Sequence, residues 1–290
     1  MSWNNVTDWL KINQQYFSPP ICNKLMHNDG VLSVFFVGGP NEREEFHIQE
    51  GEEFFYQLKG DMVLTVRECG KFRDIPIREG EVLLLPPRTP HSPQRPANTI
   101  GLVIERQRVK DVEFDCLRFY VHRCVSPEVL FERWFYVSDL GSQLPPIINE
   151  FKSSKERATG IPGPASRLCA AYFEDETSFV IDEPKNLMDT LKAHQSELES
   201  SSGSLLLYPE TKYRFHVEAL GNGTHSRDIP ANAEGFLYQL KGNGLCKHSS
   251  GEHMMSQQST LLVPEGTGMS LTNEPNARTL FVVAAMPTGV

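Results

Sequence analysis

Short runs of apolar residues, separated by turn residues, make up most of the chain after residue 30. Five of them occur in the first half: VLSVFFV (31–37), EFFYQL (53–58), MVLTV (62–66), VLLLP (82–86) and TIGLVIE (99–105). Turn sequences such as GGPN, KGD and REGE separate them. Runs of this length that are rich in Val, Leu, Phe and Thr predict strands, and their close spacing is typical of an antiparallel barrel or sandwich. The same pattern returns from Gly203 to the end, so it predicts an all-β fold.

Three segments carry helical signals instead. Thr7 is placed to cap a helix that runs to Tyr16. The segment SPEVLFERWF (126–135) has Ser126 at a capping position and a proline directly after it, which is typical of a helix start. The segment NLMDTLKAHQSEL (186–198) has four residues at helical spacing: Leu187, Leu191, His194 and Leu198. We therefore expect a few short helices beside the strands.

A seven-residue stretch occurs twice in the chain. FFYQLKG spans residues 54–60 and FLYQLKG spans residues 236–242, at an offset of 182. A second pair of segments follows in the same order at an offset of 178, REGEVLLLPPRTPHS (78–92) and SQQSTLLVPEGTGMS (256–270). Two copies of one β unit predict two similar domains in one chain.

The composition changes between the two copies. Residues 153–166 read SSKERATGIPGPAS, a sequence rich in small, charged and turn-forming residues that is typical of an exposed linker. We therefore divide the chain into a first domain at 1–160, a linker at 161–177 and a second domain at 178–290.

Composition and charge narrow the class of protein. With 39% hydrophobic and 10% aromatic residues the chain can bury a core. Its net charge of −9 argues against non-specific binding to nucleic acid or to anionic membranes. No apolar run approaches the roughly 20 residues that span a bilayer, and the first residues do not resemble a signal peptide. The six cysteines include no CxxC pair, so we expect reduced thiols and a cytosolic protein.

The two copies differ in the residues that surround the repeated stretch. In the first half, His47, Glu53 and His91 flank the predicted strands at positions that alternation can turn into one barrel. Two imidazoles and one carboxylate on one face of a metal ion leave open positions, which is the arrangement of non-haem Fe(II) oxygenases. At the same offsets the second half has Ile229, Gly235 and Met269. The second domain is therefore predicted to keep the fold and to lack the metal.

The spacing of these residues resembles the two sequence motifs of the cupins: His47-x-Gln49-x3-Glu53-x6-Gly60 and Gly80-x5-Pro86-x-Arg88-x2-His91. Gln49 stands where a second His often occurs, and Arg88 where Gly is usual. Longer segments, among them CNKLMHNDG, VGGPNEREEFHIQEGEEFFYQLKGDMVL and WFYVSDLGSQLPPIINEF, resemble the 3-hydroxyanthranilate 3,4-dioxygenase family in its animal, two-domain form. The resemblance is strong from about residue 18 to 152 and weaker over 166–290.

The resemblance implies an all-β bicupin, with two antiparallel barrels, and a role for each candidate site residue. Fe(II) would be held by His47, Glu53 and His91. The substrate would be contacted by Arg43, Glu53, Arg95, Glu105 and Asn23, and the catalytic residues would be Arg43 and Glu105. A planar guanidinium holds a carboxylate with two hydrogen bonds, so we expect Arg95 to bind the substrate carboxylate. Arg43 would stabilise negative charge that develops on dioxygen.

The implied reaction is the extradiol-type cleavage of 3-hydroxyanthranilate with O2 to 2-amino-3-carboxymuconate semialdehyde. That product closes to quinolinate without the enzyme, on the route from tryptophan to NAD. The second barrel is predicted to cover an apolar face of the first, as a second subunit does in single-domain relatives, so we expect a monomer.

Two other functions are compatible with the residues: a different metal-dependent cupin enzyme, or a bicupin binding protein without activity. The ligand set also suits manganese, cobalt or nickel. Glu105 has a structural alternative as the partner of Arg106 or of another cation in an ion pair.

Overall fold

The computed structural model describes residues 3–19, 22–41, 43–138, 140–249 and 251–288. Within these ranges the strands outnumber the helices, and every strand pairing is antiparallel. The predicted all-β fold is therefore confirmed. None of the described helices is both long and apolar enough to cross a membrane.

The elements of the first half are, in chain order, β1 (Trp3–Asn5), α1 (Val6–Ile12), a single 3-10 turn (Gln14–Tyr16), β2 (Asn23–His27), β3 (Leu32–Gly38), β4 (Phe46–Ile48), β5 (Glu53–Lys59), β6 (Met62–Glu68), β7 (Lys71–Ile77), β8 (Glu81–Leu85), β9 (His91–Gln94), β10 (Ile100–Arg106), β11 (Asp115–Tyr120), β12 (Val129–Phe135), α2 (Leu140–Lys152) and α3 (Lys155–Thr159). Those of the second half are β13 (Lys185–Asn186), α4 (Leu187–Ala193), α5 (Gln195–Glu199), β14 (Ser204–Leu206), β15 (His216–Leu220), β16 (Gly223–Asp228), β17 (Ala233–Lys241), β18 (Gly244–His248), β19 (Gly251–Met255), β20 (Ser259–Val263), β21 (Gly268–Asn273) and β22 (Arg278–Ala285).

The strands form four sheets within the described ranges, two for each barrel. In the first barrel the sheet β13-β8-β5-β10-β3-β2 lies opposite the sheet β12-β11-β4-β9-β6-β7. In the second barrel the sheet β1-β20-β17-β22-β15-β14 lies opposite the sheet β16-β21-β18-β19. Each barrel encloses its own apolar cluster, one around Phe55 and Val103 and the other around Leu237 and Phe281.

The internal repeat has the same register in both barrels. Glu53 pairs with Leu85 between β5 and β8, and Gly235 pairs with Val263 between β17 and β20. These pairings preserve the offsets of 182 and 178 seen in the sequence. The lysine-glycine turns also match, since Gly60 and Gly242 have φ angles of +64° and +68°, where glycine has no steric penalty.

Each half of the chain contributes a short arm to the barrel of the other half. Strand β1 pairs with β20 of the second barrel, and strand β13 pairs with β8 of the first. A helix follows each arm, and each helix is capped by an asparagine: Asn5 accepts a hydrogen bond from the Asp8 N–H, and Asn186 accepts one from the Asp189 N–H. The two arms are therefore equivalent, and each one extends a sheet of the other barrel.

The largest apolar cluster lies between the barrels and contains side chains from both. Phe36, Phe54 and Leu84 come from the first barrel, and Phe236 and Leu280 come from the second. The second barrel thus covers an apolar sheet face of the first, and burial of this area is the main stabilising term between them.

Two buried glutamates exchange hydrogen bonds across the same contact. Glu52 accepts from the backbone N–H groups of Arg214 (2.8 Å) and Phe215 (2.7 Å) in the second barrel. Glu234, which is 182 positions later, accepts from the backbone N–H of Leu32 (2.9 Å) in the first. A reciprocal contact of this kind is typical of the interface in a two-fold symmetric dimer.

The predicted helix at 126–135 is wrong, because Val129–Phe135 form strand β12 and the three residues before it are in neither a helix nor a strand. The strand pairs with β11 from Asp115, opposite Phe135, to Tyr120, opposite Val129. Pro127 precedes the strand, and the Ser126 N–H donates a hydrogen bond to the His122 carbonyl (3.0 Å), which closes a turn. The local Ser-Pro signal therefore marks a turn, and the β-branched and aromatic residues after it decide the conformation.

The other helix predictions need smaller corrections. The cap of α1 is Asn5 and not Thr7, and this helix ends at Ile12 before a separate turn. The segment 186–198 is helical as predicted, but it is split into α4 and α5 at His194, whose side chain is exposed.

The segment 153–166 is not simply an exposed linker. It contains α3, capped by Ser154, and it buries the side chains of Glu156 and Ser166. The backbone carbonyl of Ser166 also accepts from the Glu132 N–H (2.8 Å), so this segment is fixed to the first barrel.

Candidate metal centre and active site

Three candidate ligands meet inside the first barrel. His47 on β4 lies directly opposite His91 on β9, and Glu53 begins β5 in the facing sheet. Their ligand atoms all lie within 4.8 Å of one another. Within the described ranges they are the only group of three or more His, Cys, Asp or Glu side chains that could hold a metal ion. All three are buried, with 2–6% of their surface exposed.

The hydrogen bonds around these side chains fit a bound cation. The Nδ1 of His91 donates to the Thr89 carbonyl (2.9 Å), which leaves its Nε2 unprotonated in the neutral ring. Glu53 Oε2 lies 3.0 Å from that nitrogen and is buried without a hydrogen bond. Burial opposes the ionisation of Glu53, but the His91 and His47 imidazoles and Arg108 outweigh it and lower the pKa of this carboxyl. An ionised carboxylate with an unpartnered oxygen is a good metal ligand.

His47 is oriented by a second carboxylate. Its Nε2 lies 2.6 Å from Asp115 Oδ2 on the neighbouring strand β11. Burial lowers the pKa of the His47 imidazole, although Asp115 opposes this shift, so the neutral ring required for metal binding is favoured. Burial also opposes ionisation of Asp115, but Arg108 and His47 hold the pKa of its carboxyl well below the usual range.

Arg95 is a buried guanidinium with free donor capacity. Its Nη1 donates to Gln57 Oε1 (2.9 Å), and its Nε is buried without a partner. No carboxylate of the described residues lies within salt-bridge distance. Gly101 leaves room for it, because a Cβ there would lie 2.6 Å from Arg95 Nη1. Burial lowers the pKa of Arg95 to about 10, with Glu53 opposing and Arg43 adding to the shift. Such a group fits an anionic ligand.

Arg43 lies at the edge of the same space. Its Nε donates to the buried Glu45 (2.5 Å), which fixes the side chain, and its Nη2 is buried without a partner. One edge of this guanidinium is therefore held by the protein, and the other has a donor available for a ligand.

Glu105 on β10 lies beside the candidate ligand Glu53, since the two residues are paired between β10 and β5. Its partner in the ion pair is Arg108 (3.1 Å) and not Arg106, which pairs with Glu113. Burial raises the pKa of Glu105 to about 7, with Arg108 as the opposing influence. Its Oε2 is buried without a hydrogen bond. Glu105 is therefore available to accept a hydrogen bond or a proton.

Asn23 lies with Glu105 on the wall of one pocket. Other residues of this wall include Ser33, Phe35 and Arg108. The residues that line this pocket include Glu105 and Asn23, but none of the three candidate metal ligands and neither Arg43 nor Arg95.

Sequence reasoning missed Asp115 and Arg108 and described Gln49 only as part of a motif. Arg108 Nη2 donates to Gln49 Oε1 and to Asp115 Oδ2. Asp115 opens the apolar stretch DCLRFY, and a carboxylate in such a position is a weak signal of a buried role. Its approach to His47 depends on the pairing of β4 with β11, which no local pattern shows.

The corresponding space in the second barrel is filled by apolar side chains. Gly235 and Met269 occupy the positions of Glu53 and His91. The sequence offset assigned Ile229 to the position of His47, but the residue paired with Met269 is Arg227. Ile229 and Met269 both belong to the apolar cluster of this barrel.

An antiparallel double barrel with a buried group of two histidines and one carboxylate in one barrel defines a metal-dependent cupin. Comparison with solved structures agrees with this fold. A salicylate 1,2-dioxygenase from Pseudaminobacter salicylatoxidans superposes with a TM-score of 0.61 at 14% identity, covering 97% of this chain and 83% of that one. A cupin 2 conserved barrel domain protein from Leptotrichia buccalis gives 0.52 at 10% identity, covering 98% and 96%.

The family follows from sequence comparison. Residues 2–152 match the family model for 3-hydroxyanthranilic acid dioxygenase. A 3-hydroxyanthranilate 3,4-dioxygenase of Homo sapiens is 47% identical over 262 residues, which are 90% of this chain and 89% of that protein. The chain therefore belongs to the 3-hydroxyanthranilic acid dioxygenase family, as the sequence motifs predicted.

Proposed function

We propose that this protein is an Fe(II)-dependent dioxygenase that cleaves the ring of 3-hydroxyanthranilate between the hydroxyl-bearing carbon and the adjacent unsubstituted carbon. The observation that carries the proposal is the buried trio of His47, Glu53 and His91 beside Arg95 and Glu105, both of which have unpartnered polar atoms. Membership of the family supports the choice of reaction.

The metal would be held by His47, Glu53 and His91. When bound, Fe(II) supplies a Lewis-acidic and redox-active centre at which the substrate and dioxygen are brought together. The protein contributes a buried site, a His47 imidazole whose pKa is lowered by burial, and a Glu53 carboxyl whose pKa is also lowered. Exclusion of water strengthens each of these electrostatic interactions.

The substrate would be oriented by its carboxylate on Arg95. A buried guanidinium that has no carboxylate partner gains two charge-assisted hydrogen bonds from such a ligand. Glu105 would accept the proton of the substrate hydroxyl or a hydrogen bond from its amine, and Asn23 would contact the substrate at the pocket wall. Arg43 would stabilise negative charge on dioxygen through its free Nη2 donor.

The reaction breaks one carbon–carbon bond of the ring, and both atoms of O2 enter the product. The hydroxyl-bearing carbon becomes a carboxylate and its neighbour an aldehyde, which gives 2-amino-3-carboxymuconate semialdehyde. Its amine can then condense with the aldehyde and lose water, which forms quinolinate without the enzyme. The protein would therefore act in quinolinate and NAD biosynthesis from tryptophan.

We further propose that the protein acts as a monomer in the cytosol. The apolar face that a single barrel would leave open is covered by the second barrel of the same chain. All six thiols are free, which fits a reducing compartment. Sedimentation at micromolar concentration should give the mass of one chain, and a dimer mass would contradict the proposal.

The experiment that tests the reaction is anaerobic reconstitution with Fe(II), followed by 3-hydroxyanthranilate and air. We expect growth of the absorbance band of the conjugated semialdehyde, and loss of this band with a chelator or with His47→Ala. His194→Ala is the control, because that histidine is exposed and lies outside the site. Parallel samples with manganese, cobalt and nickel decide the metal. No band from protein with bound iron would favour a different metal-dependent cupin enzyme.

The role of Arg95 is tested with a substrate that lacks the carboxylate. Arg95→Met should lower kcat/KM for 3-hydroxyanthranilate by about 30-fold or more, because a lost charge pair costs roughly 2 kcal/mol or more. The same substitution should leave kcat/KM for 2-aminophenol nearly unchanged. Equal losses with both substrates would show that Arg95 does not bind the carboxylate.

A further inference from the structure

Arg108 is a buried cation at the centre of a hydrogen-bonded network. Its Nε donates to Asp115 Oδ1 (2.8 Å) and its Nη2 donates to Asp115 Oδ2 (2.6 Å). Its Nη1 donates to the Arg106 carbonyl (3.0 Å) and lies 3.1 Å from Glu105 Oε1. Only 4% of the side chain is exposed, so these partners replace water completely.

Asp115 connects this cation to the metal site. Both of its oxygens accept hydrogen bonds from Arg108, and Oδ2 also lies 2.6 Å from His47 Nε2. An ionised carboxylate can only accept hydrogen bonds, so the imidazole must donate to it. The other ring nitrogen of His47 is then unprotonated and available to a metal ion. A continuous chain of contacts thus runs from His47 through Asp115 and Arg108 to Glu105.

The second barrel lacks both the metal ligands and this network. At the offset of 178, Val283 stands in place of Glu105 and Met286 in place of Arg108. The pairing of β22 with β17 agrees, because Val283 lies opposite Gly235 as Glu105 lies opposite Glu53. The buried guanidinium therefore occurs in the barrel with the ligands and not at the matching position of the other.

We propose that Asp115 and Arg108 are positioning residues of the metal centre, which fix the orientation of His47 and hold it in one rigid frame with Glu105. The role given to Glu105 rests on the proposed function, whereas the role given to Asp115 rests only on the metal site. Arg108 serves both carboxylates with one planar group, a geometry that lysine cannot reproduce. Removal of a carboxylate that accepts a hydrogen bond from a metal-ligating histidine typically weakens metal binding 10–100-fold.

A neighbouring ion pair provides the matched control. Arg106 donates through Nη1 and Nη2 to the two oxygens of Glu113 (2.6 and 2.5 Å), and both residues are buried. This pair joins the same two chain segments as Arg108 and Asp115 do. Glu113 makes no hydrogen bond to any of the three metal ligands among the contacts of the described residues.

The test measures the affinity of the apoprotein for Co(II) alone, by titration calorimetry and by the visible Co(II) spectrum. We expect Asp115→Asn to weaken Co(II) binding by about 10–100-fold and to alter the spectrum. Glu113→Gln should leave the Co(II) affinity and the Co(II) spectrum unchanged. Both Asp115→Asn and Glu113→Gln should lose thermal stability. No substrate is present, so failure of the proposed reaction would not affect the result.

A second variant keeps the test decisive if Asp115→Asn does not fold. Arg108→Lys preserves the charge but cannot make the two-point contact with Asp115 while reaching Glu105. We expect weaker Co(II) binding by several-fold, and a lower kcat with KM changed less. Wild-type Co(II) affinity in a folded Asp115→Asn or Arg108→Lys variant would overturn the proposal. So would an equal loss of affinity in Glu113→Gln.

Discussion

The two barrels of this chain share a backbone register and differ in what they enclose. In the repeated stretch, Phe54 and Tyr56 match Phe236 and Tyr238, and these side chains face the apolar cluster between the barrels. The residues of opposite parity face the interior of each barrel, and there Glu53 and Phe55 are replaced by Gly235 and Leu237. The aromatic residues that the two copies share are therefore those that make the contact between the barrels.

The glutamine and the glycine of the repeated stretch are shared for a different reason, which is the turn that follows the strand. Gln57 donates to the carbonyls of Lys59 (3.1 Å) and Gly60 (2.8 Å), and Gln239 donates to the carbonyl of Lys241 (3.0 Å). In both barrels the amide therefore closes the tight turn that a left-handed glycine permits. Contact surface and turn chemistry account for the repeat, and neither requires a metal.

The interiors show what replaces a metal site. In the first barrel buried polar groups converge on His47, Glu53 and His91. In the second, Met269 and Ile229 fill the space with apolar atoms. Arg227, opposite Met269, is turned to Glu218 and donates to both of its oxygens (2.7 and 2.9 Å). At the candidate site the first barrel thus retains buried groups with unsatisfied bonding capacity, whereas the matching positions of the second hold Gly235, Met269 and the paired Arg227.

The largest expected effect comes from matched substitutions at the equivalent positions His91 and Met269. His91→Ala should lower kcat by about a thousandfold or more, because loss of a metal ligand removes several kcal/mol of transition-state stabilisation. Met269→Ala should leave kcat unchanged and lower the free energy of unfolding by about 2–5 kcal/mol. Steady-state kinetics and urea unfolding of both variants check this. A kcat effect in Met269→Ala would show that the second barrel takes part in catalysis.

A smaller effect is expected from the ion pair of the second barrel. Burial opposes ionisation of Glu218, but His216 and Arg227 outweigh it and lower its pKa to about 2. A lowered carboxyl pKa contributes stability above the usual value of 4.5, and this stability is lost as pH falls toward 2. Glu218→Gln should therefore cost roughly 2–3 kcal/mol at pH 7, allowing for solvent screening, and almost nothing near pH 2.

Urea unfolding of Glu218→Gln and the parent protein at pH 7 and at pH 2 measures this difference. A difference in unfolding free energy that is independent of pH would mean that Glu218 stabilises the barrel by packing alone. Activity should be unaffected at pH 7, because Glu218 lies in the barrel without the candidate ligands.

The sequence predicted the parts of this comparison that depend on local periodicity and on the repeat. Strand parity and motif spacing indicated that His47, Glu53 and His91 converge, and the two offsets predicted two similar β domains. The contacts of Asp115 with His47 and of Glu52 with Arg214 were not predictable in this way. They depend on which strands pair and on how two barrels dock, and neither leaves a periodic signal. Strand β12 was misassigned because a local Ser-Pro signal competed with a non-local strand partner.

Gly235 allows a third test, of whether the second barrel has room for the missing ligand. A Cβ at this position would lie 2.9 Å from Phe281 Cε2 and 3.1 Å from Ile229 Cδ1. Gly235→Ala should therefore lower the free energy of unfolding by about 1–3 kcal/mol through overpacking. Thermal unfolding checks this, and Gly251→Ala is unsuitable as a control because its φ of +140° adds backbone strain. An unchanged or raised melting temperature would mean that the interior can adapt, and that a glutamate could be introduced there.

The smallest effect distinguishes the two exchanged arms. Asn5 and Asn186 each accept a hydrogen bond from the N–H three residues later, at 3.2 and 3.0 Å, and each is the last residue of a strand paired with the other barrel. If the arms are equivalent, Asn5→Ala and Asn186→Ala should each cost about 1 kcal/mol of unfolding free energy, the usual value of an N-cap. The effects should add in the double variant, because the two caps share no partner. Urea unfolding of the four proteins measures this. A clearly larger cost at Asn186 would show that its arm, which pairs beside the strand that carries Glu53, supports the metal barrel more than β1 supports its counterpart.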